Sequence, residues 1–515
     1  MIAIVGAGPA GLACALGLAA LDVPSTLLDD GYGISDGSRA TGVSRRALQL
    51  LTPCGVGDEA MEIAVVQVAN QAFAGTTELF CDRTPAEPGK YPRVVNLPQD
   101  RLEAMLLRAV ADRPQIELRR GHRVTAVRPG PDGVEIDALA GERAVTLHAD
   151  WLIACDGGRS EIRKGMGLAL EGTRHDARFI VTDVAVRIEL PEGIRRIWFD
   201  PPSNPDGTII MHQQPEDLWR LDFGVPPGVP VEQALARESV EARVAAHLEL
   251  LGVDTPWELL WMGDYTATSV GLTSYRHGRV LFAGDAAHLI PIFGGRGLNS
   301  AVEDGFNVAW KLAGAIGGAG EWLLDTYSQE RVDGARQNMA KAGIGAEVIA
   351  ARSPGSLLLR RAMLGMIAER RPVESLLNHR TSDANSYAGS PLSLGEVGTP
   401  HASGAGRPGE ALLDVRADLA GRGRDWLIDA LPDGFTLLSV GEQTDADGGE
   451  LPERLLGLPL SHLHMRADAD GQASAYGAGS YLVRPDRYVM ARGEPDGAAA
   501  LLAAAAALAG ASAPA

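Results

Sequence analysis

The residues of this 515-residue chain that are best suited to chemistry lie in separated glycine-rich stretches, and the first of them opens the sequence. An apolar run over residues 2–5 leads into GAGPAG at Gly6, Gly8 and Gly11, and an apolar helical segment follows. Glycines at this spacing permit a tight turn and a close approach of backbone to a pyrophosphate, while the helix N-terminus supplies unpaired N–H groups. Asp29 ends the next predicted strand, where it can accept hydrogen bonds from a ribose. The stretch predicts a dinucleotide site, and the pattern alone leaves FAD and NAD open.

Two further stretches place an acid beside glycine at the end of an apolar strand. Residues 151–155 lead into Asp156-Gly157, and residues 279–283 lead into Gly284-Asp285. Such acids are typical of the ligand-facing edge of an α/β sheet, although an ordinary turn is the alternative interpretation of Asp156. A glycine-rich turn then precedes a helix predicted from Leu298, whose N-terminus favours a developing negative charge. His288 is conspicuous, but we expect it to be structural, beside Asp285.

A polar pattern follows two predicted strands, residues 208–214 and 218–223. With a period of two, His212 and Gln214 share one face, Arg220 and Asp222 share another, and the apolar residues between them point the other way. This predicts an antiparallel sheet with an apolar back and a polar front. The polar front either faces a substrate or is simply solvated.

The elements that must position these residues divide the chain into four segments. We predict an α/β cofactor domain in two parts, residues 1–172 and 271–395, around an antiparallel-sheet substrate domain at residues 173–270. A Ser/Gly/Pro-rich linker near residues 381–409 precedes a C-terminal domain at residues 396–515. That domain carries no motif, so we expect it to be dispensable for cofactor binding.

The charge, the apolar runs and the cysteines of the chain limit the kinds of partner and compartment that we expect. Lys plus Arg number 47 and Asp plus Glu number 66, and the resulting net charge of −19 argues against nucleic acid or an anionic membrane. No apolar run is long enough to cross a bilayer, and the N-terminus lacks the features of a secretory signal. The four cysteines show no CxxC spacing, which predicts no disulfide framework, no metal site and a reducing cytoplasm. We expect a cytoplasmic protein, and a homodimer is compatible with these features.

The GAGPAG stretch with its acid, the ACDGGRS element and the LFAGDAAH and GGRGLN elements occur in that order. Together they resemble the FAD-dependent aromatic hydroxylases of the para-hydroxybenzoate hydroxylase kind, over about residues 1–371. The C-terminal part resembles the thioredoxin-like domain of the phenol and 3-(3-hydroxyphenyl)propionate hydroxylases. The resemblance implies an α/β fold in which a Rossmann-like FAD-binding domain carries an inserted antiparallel-sheet substrate domain and a C-terminal thioredoxin-like domain.

The resemblance also implies which residues bind FAD. For the ADP half and the loop led by an arginine, they are Gly6, Gly8, Pro9, Ala10, Gly11, Asp29, Arg39, Ala40, Thr41, Gly42, Val43 and Ser44. For the adenine, the ribityl chain and the flavin, they are Gln99, Val124, Asp156, Gly157, Gly284, Asp285, Pro291, Gly297, Leu298 and Asn299. Asp29 and Asp30 depart from the family's glutamate and arginine. Ile292 replaces a proline and Arg296 stands where many relatives have glutamine, and these two changes leave the substrate open.

The implied reaction is the hydroxylation of a phenolic compound. NAD(P)H, a transient co-substrate, reduces the FAD, O2 adds to it, and a flavin hydroperoxide transfers oxygen to the aromatic ring. A base or cation near the phenol oxygen would assist, and His212 is the candidate catalytic residue. The expected substrate-binding residues are His212, Gln214, Arg220, Ile292 and Phe293.

Other functions also fit these motifs. The same cofactor could serve hydroxylation or Baeyer–Villiger oxidation of a polyketide or antibiotic, or the protein could be an FAD-dependent reductase. A flavin-bearing protein that sequesters an aromatic ligand without turning it over is the alternative from another class. Product mass, a substrate panel and anaerobic turnover separate these functions.

Overall fold

The structure is a computed structural model that describes residues 1–511 except 35–36, 38, 86, 227, 293, 350, 352, 369–383, 398–403, 442–450 and 467–472. The strands are β1 Ile2–Val5, β2 Ser25–Leu28, β3 Gly42–Ser44, β4 Val65–Val66, β5 Ala69–Ala74, β6 Thr77–Arg83, β7 Val94–Asn96, β8 Ile116–Arg119, β9 His122–Pro129, β10 Val134–Ala140, β11 Arg143–Ala149, β12 Trp151–Ala154, β13 Glu171–Val186, β14 Ile194–Phe199, β15 Thr208–Gln213, β16 Leu218–Gly224, β17 Trp257–Gly271, β18 Arg276–His277, β19 Val280–Phe282, β20 His288–Leu289, β21 Gly395–Val397, β22 Arg416–Leu419, β23 Gly423–Trp426, β24 Phe435–Val440, β25 Arg454–Leu455, β26 Leu458–Arg466, β27 Gly479–Val483 and β28 Val489–Gly493.

The α-helices are α1 Pro9–Ala19, α2 Arg45–Leu51, α3 Val56–Ile63, α4 Gln99–Ala111, α5 Glu161–Gly165, α6 Val231–Ala234, α7 Arg237–Leu250, α8 Arg296–Gly314, α9 Trp322–Ile349, α10 Pro354–Ala368, a short helix Leu427–Ala430 and a C-terminal helix Ala498–Ala511. Short 3-10 helices cover Thr52–Cys54, Gly284–Ala286 and Ala473–Ala475, and a π-turn at Ala315–Ala319 ends α8. None of the described helices combines the length and the apolar composition that a bilayer-spanning helix needs.

The first sheet has the strand order β18-β19-β12-β1-β2-β8, and every pairing except that of β18 is parallel. Strands β1, β2, β12 and β19 are buried at every residue. This explains the continuous apolar sequences of β1, β12 and β19, whereas β2 begins with the buried polar residues Ser25 and Thr26. Parallel strands end at the same edge of a sheet, so Gly6, Asp29, Asp156 and Gly284 all emerge there.

Helices α1 and α8 cross closely because glycines meet small side chains at the crossing. A Cβ on Gly17 would lie 2.8 Å from the Ala309 Cβ, and one on Gly305 would lie 2.6 Å from the Ala13 Cβ. Every residue of α1 after Pro9 is buried, as expected for a helix enclosed between a sheet and a second helix. The glycines therefore allow α8 to lie directly against the helix that follows the GAGPAG turn.

The second sheet has the order β20-β17-β13-β16-β15-β14-β5-β6 and is mostly antiparallel. Its apolar back, with Trp219, Leu221 and Phe223, packs with residues of α7 such as Val240. One feature differs from the predicted division at residue 172. Strands β5 and β6 come from within residues 1–172, and β5 pairs in parallel with β14 of the inserted segment.

The C-terminal sheet has the order β21-β28-β27-β24-β26-β22-β23. Strand β24 runs parallel to β26 and antiparallel to β27, and the C-terminal helix packs against β27 and β28. Of the predicted linker, residues 381–383 and 398–403 lie outside the described residues.

A group of buried ionic side chains, which we call the docking cluster, joins the C-terminal sheet to α8 and α9. Arg484, in the turn after β27, donates to the Glu330 carboxylate at 2.7 and 2.8 Å and to Asp486 at 2.7 and 2.9 Å. Lys311 lies 2.6 Å from Glu330, and Asn307 donates to both Glu330 and Asp486. Burial alone would raise the pKa of Glu330, but the charges of Arg484 and Lys311 hold that pKa well below its ordinary value.

Apolar contacts surround the docking cluster. Trp310 of α8 meets Phe435 of β24 edge to face with ring centroids 5.7 Å apart, and Leu323 belongs to the same buried cluster as Leu437 and Leu482. Removing the C-terminal domain would leave these residues and the Lys311–Glu330 pair exposed. The expectation that this domain is dispensable is therefore at odds with the contacts, because the cofactor domain uses it to cover part of its core.

We predict that Arg484→Met destabilises the protein by about 3–5 kcal/mol, because it leaves Glu330 and Asp486 buried with too few partners. Unfolding in urea, followed by circular dichroism on the FAD-loaded protein, measures the change. Since the native pKa of Glu330 lies below its unfolded value of 4.5, its contribution is present above that pH and is lost as the pH falls through the native pKa. The difference between wild type and variant should narrow accordingly on acidification.

Arg466→Met is the matched control within the same domain. Arg466 pairs with Asp418 at the surface, where the two side chains are 60% and 44% exposed. Losing such a pair should cost less than about 1 kcal/mol. An Arg484→Met variant as stable as this control, or a stable yellow protein ending before residue 396, would contradict the structural role of the docking cluster.

Candidate functional site

The GAGPAG turn has the shape that a pyrophosphate requires. Gly6 has a φ of 102°, and a Cβ there would lie 2.3 Å from the Cys155 carbonyl oxygen. A Cβ on Gly11 would lie 1.9 Å from the Gly6 carbonyl oxygen, whereas one on Gly8 would meet nothing within 4 Å. Gly8 caps α1 without a side-chain hydrogen bond, and Pro9 follows it. Open space thus lies in front of the free N–H groups of the first turn of α1, to which Ala10 belongs.

The predicted adenosine-side residues converge at the end of β2. The Asp29 carboxylate accepts from the Ala7 N–H at 2.6 Å, the Gly31 N–H at 3.0 Å and the Arg120 guanidinium at 3.1 Å. The His122 N–H donates to the Asp29 carbonyl at 2.8 Å, so β9, which carries Val124, begins beside this acid. The hydrogen bond from Ala7 therefore fixes Asp29 against the GAGPAG turn without any ligand.

The loop from Arg39 to Ser44 crosses the cleft and is held by the start of α8. Arg39 is exposed, and the strand that follows, β3 with Gly42, Val43 and Ser44, pairs with β7. The Asn299 side chain accepts from the Ser44 N–H at 2.9 Å and donates to the Gly42 carbonyl at 2.9 Å. Helix α8 starts at Arg296, two residues before the predicted start, so Gly297 and Leu298 lie in its first turn, where N–H groups have no partner within the helix.

Gln99 joins the same loop from the other side. Its N–H donates to the Ala40 carbonyl at 3.0 Å, and its side-chain amide donates to Glu103 at 2.7 Å. Gln99 is the first residue of α4. The predicted flavin-side glutamine thus lies next to the loop, as its assignment requires.

The two predicted acids sit on adjacent strand ends. Asp156 follows β12, where one carboxylate oxygen accepts from the Ile162 N–H at 3.1 Å, and the other is enclosed without a hydrogen-bond partner among the described residues. Burial raises the pKa of Asp156. Gly157, with a φ of 78°, leaves open space beside it. Arg163 donates to the Gly158 carbonyl at 2.8 Å and the Ala286 carbonyl at 2.9 Å, which joins the two acid-bearing turns.

Asp285 lines an open cleft. Its side chain is accessible to solvent, yet protein surrounds the carboxyl closely enough to raise its pKa by desolvation. Arg39 is near enough for its charge to act on this carboxyl in the opposite direction. A carboxylate that is reachable but poorly hydrated is suited to accept hydrogen bonds from the hydroxyl groups of a ligand.

The residue that fixes the Asp285 turn is Asp304 of α8, which sequence reasoning missed. Its carboxylate accepts from the Gly284 N–H at 2.8 Å, lies 2.7 Å from the His288 Nε2 and accepts from the Arg331 Nε at 2.5 Å. Burial would raise the pKa of Asp304, but the charge of Arg331, together with His288, holds it below its ordinary value. His288 is buried near Asp285, and its carboxylate partner is Asp304.

The polar front of the second sheet is buried, so the interpretation as a solvated face does not hold. His212 lies opposite Arg220, and Arg220 lies opposite Asp183 on β13. Each of these residues is at most 4% exposed. The Arg220 Nε donates to Asp222 at 2.8 Å. A row of charged and polar side chains therefore crosses three strands inside the protein, and Asp183 is a member that sequence reasoning missed.

This sheet face adjoins the loop from Arg39 to Ser44, which we call the cofactor loop after its predicted role. The Thr41 hydroxyl donates to the Gln214 side-chain oxygen, and the Asn96 side chain donates to the Gln213 carbonyl at 2.9 Å. Pro291 is buried, and Ile292 packs against the front apolar cluster that includes Ile210. Of the predicted substrate residues, the structure therefore brings His212, Gln214, Arg220 and Ile292 to the boundary between sheet and cofactor cleft. Phe293 lies outside the described residues.

Comparison with known proteins agrees with this geometry. The family model described as an FAD binding domain matches residues 1–342, and the chain belongs to that family. The resemblance stated from the motifs is thereby confirmed at the level of the family. Three features fit an FAD: the open space at Gly8, the enclosed Asp156 oxygen without a partner and the reachable Asp285 carboxyl.

Among curated proteins, the 3-(3-hydroxy-phenyl)propionate/3-hydroxycinnamic acid hydroxylase of Burkholderia cenocepacia (strain HI2424) is 32% identical over 369 residues, or 71% of this chain. The match spans 66% of that protein, slightly less than two thirds. Among solved structures, OxyS anhydrotetracycline hydroxylase from Streptomyces rimosus is 26% identical with a TM-score of 0.72, and each chain is covered to 96%. The flavin-dependent monooxygenase PieE, solved with FAD and substrate, shares the fold at 23% identity and a TM-score of 0.81, covering 99% of this chain and 98% of its own.

We predict that Asp285→Ala purifies with little FAD. Losing hydrogen bonds to a charged acceptor should weaken binding by about 1.5–3 kcal/mol, which is at least tenfold in the dissociation constant. The ratio of flavin to protein absorbance after gel filtration reads the effect directly.

Asp325→Ala is the control, because that carboxylate is 72% exposed and pairs with Arg276 at the surface. It should keep the wild-type flavin content. A fully yellow Asp285→Ala protein would remove the assignment of Asp285 to the cofactor.

Proposed function

We propose that this protein is an FAD-dependent monooxygenase that uses NAD(P)H and O2 to hydroxylate a phenolic aromatic substrate. The observation that carries the proposal is the junction between the cofactor loop and a buried polar sheet face, made by Thr41 and Gln214. A substrate on that face would lie beside the cofactor and out of water. The name of the Burkholderia relative, a hydroxylase of phenolic acids, supports a phenolic substrate.

The bound FAD would take reducing equivalents from NAD(P)H and activate O2. The chain would contribute orientation, charge and the exclusion of water. The N-terminus of α8 would stabilise negative charge on the ring system, and the enclosed sheet face would keep water from the reacting atoms. His212 would take the proton of the phenol, which makes the ring more electron-rich, while Arg220, fixed by Asp222, would orient the substrate.

A second candidate substrate is a multi-ring phenol of the polyketide kind. The observation that favours it is the likeness to OxyS, which is 26% identical and whose structure aligns with 96% of this chain, including the C-terminal domain. OxyS is named for anhydrotetracycline. Both candidates require the same cofactor chemistry and differ in the size of the ring system that the sheet face must accept.

We also propose that the C-terminal domain is thioredoxin-like and that the protein is cytoplasmic. A thioredoxin-like arrangement of residues 396–515 is supported by the order β26-β24-β27-β28 and the helix Ala498–Ala511. Cysteine is absent after Cys155, so such a domain would have no thiol chemistry. All four cysteines are free, which supports a reducing cytoplasm.

The first experiment is anaerobic stopped flow of the FAD-loaded protein with NADPH and, separately, NADH. The phenol panel contains 3-(3-hydroxyphenyl)propionate, 3-hydroxycinnamate and anhydrotetracycline. We expect one phenol to accelerate flavin reduction, and the same phenol to gain one oxygen atom under air, as measured by mass spectrometry. Equally fast reduction without any phenol, and no oxygenated product, would favour a reductase instead.

We predict that His212→Asn slows product formation by about 10²–10⁴-fold, the range expected on losing a proton acceptor, while flavin reduction by NAD(P)H is retained. Rapid-quench product analysis and stopped-flow absorbance separate the two steps. His148→Asn, an exposed histidine on β11, is the control and should leave both steps unchanged. An unchanged product yield in His212→Asn would dismiss His212 as the base.

A further inference from the structure

Arg195 on β14 is a buried guanidinium for which the described residues supply no direct partner. The residue is 4% exposed, and among the described residues its Nε–H makes no hydrogen bond and its guanidinium makes no ion pair. Burial lowers the pKa of Arg195 to about 10 in spite of the nearby charge of Asp222, so the group remains protonated at neutral pH. A buried charge without a partner is costly, and proteins rarely retain one without use for it.

The side chain of Arg195 belongs to the front face of the sheet. It lies two residues before Ile197 on the strand, so the two side chains point to the same face. Ile197 packs in the same front cluster as Ile210 and Ile292. The register pairs Ile197 with Ile210 and Arg196 with Met211, so Arg195 comes next to His212. Arg195 therefore extends the polar row of Asp183, Arg220 and His212 by one strand.

The acid nearest to Arg195 is already engaged. Asp222 accepts from the Arg220 Nε at 2.8 Å, and both side chains are 4% exposed. It influences Arg195 through its charge and forms no direct ion pair with it among the described residues. Among the described residues, none occupies the free edge of the Arg195 guanidinium, which is thus available to a ligand.

The neighbouring Arg196 shows what a structural arginine on this strand looks like. It points to the opposite face and is equally buried, at 3% exposure. Its guanidinium donates to the Gln71 side chain at 3.1 Å and to the carbonyls of Ile194 and Pro191 at 3.4 and 3.3 Å. One strand thus carries a fully satisfied arginine on one face and an unsatisfied arginine on the face that adjoins the cofactor cleft.

We propose that Arg195 binds a carboxylate carried by the aromatic substrate and so selects aromatic acids over neutral phenols. The planar guanidinium presents parallel N–H groups that match the two oxygens of a carboxylate. With the acid at Arg195 and the phenol oxygen at the adjacent His212, the substrate would be fixed at two points on one face. The assignment of the ligand as the substrate rests on the proposed function.

The test measures equilibrium binding to the FAD-loaded full-length protein through changes in the flavin absorbance spectrum. The probes are 3-(3-hydroxyphenyl)propionate, 3-hydroxycinnamate and their methyl esters. Wild type should bind each acid more tightly than its ester. In Arg195→Met the dissociation constant of the acid should rise by about 10- to 100-fold, the range for losing a charge-assisted hydrogen bond, while that of the ester changes little.

Two further probes sharpen the result. 3-(3-Methoxyphenyl)propionate keeps the carboxylate but has no acidic phenol, so its binding should weaken in Arg195→Met as much as that of the parent acid. If it is unaffected, Arg195 binds the phenolate and the assignment to a carboxylate is wrong. Arg196→Met removes the buried arginine of the opposite face and should keep the preference for acids over esters.

Ligand-free stability distinguishes a binding role from a structural one. Removing an unpartnered buried charge should leave the thermal midpoint of the FAD-loaded protein unchanged or higher in Arg195→Met, and lower in Arg196→Met. A large loss of stability in Arg195→Met would overturn the proposal. So would a wild type that prefers none of the acids over its ester, or a preference that survives in Arg195→Met.

The two proposals can fail separately. If the preference for acids depends on Arg195 but no phenol is oxygenated, the anion site stands and the hydroxylase function falls. If a phenol is oxygenated and Arg195→Met changes neither binding nor preference, the function stands and the anion site falls.

Discussion

The rest of the structure depends on how the carboxylate of Asp304 is neutralised in the core. It is fully buried and takes donors from three places: the Gly284 N–H in the turn before Asp285, His288 after it, and Arg331 on α9. An uncompensated carboxylate there would cost several kcal/mol, so none of the three donors can move independently. Arg331 also donates to the Tyr387 hydroxyl in the segment that leads to the C-terminal sheet. The turn that carries Asp285, the predicted cofactor acid, is thus positioned by a network that extends through α8 and α9 to Tyr387. The docking cluster uses other residues of the same two helices.

The start of α8 is where the predicted cofactor site and the polar face of the second sheet meet. Asn299 binds the backbone on both sides of Val43, and Thr41, one residue upstream, binds Gln214 of the sheet domain. The cofactor loop is therefore fixed from two directions by hydrogen bonds in a region from which water is largely excluded, where such bonds are hard to exchange for water. A ligand on the sheet face would contact residues that also fix the cofactor loop, which gives a physical route by which substrate binding could influence the flavin.

Features that depend on residues close together in the sequence could be predicted, whereas features that depend on residues far apart in the sequence could not. The GAGPAG turn depends on contacts among neighbouring residues and on strand and helix periodicity, so Gly6 and Gly11 could be assigned from the sequence alone. The polar front could also be predicted, because strand alternation is local, although its burial could not. Asp304 and Arg331 could not be found, because each is a charged helical residue whose partners are distant in sequence, and a charge in a helix is ordinarily taken to be solvated. Arg484 lies in a turn, and its pairing with the distant Glu330 leaves no local pattern either. The pairing of β5 with β14 was missed for the same reason: parallel pairing across more than one hundred residues leaves no local pattern.

Buried charged groups play two different roles in this protein. Some are paired with an opposite charge, and others have an atom without a hydrogen-bond partner among the described residues. In the docking cluster, Glu330 and Arg484 are fully buried, and each charge meets an opposite one at hydrogen-bonding distance, as a structural network requires. On the sheet face and in the cofactor cleft, Arg195 and Asp156 are charged groups with an enclosed atom that has no partner among the described residues. Natural sequences depart from local consistency mainly where function demands it. At Arg195 on the front of the sheet and at Asp156 on a strand end, the enclosed atom therefore supports a ligand-binding role more directly than the charge itself does, because both residues lie where cofactor and substrate would be brought together.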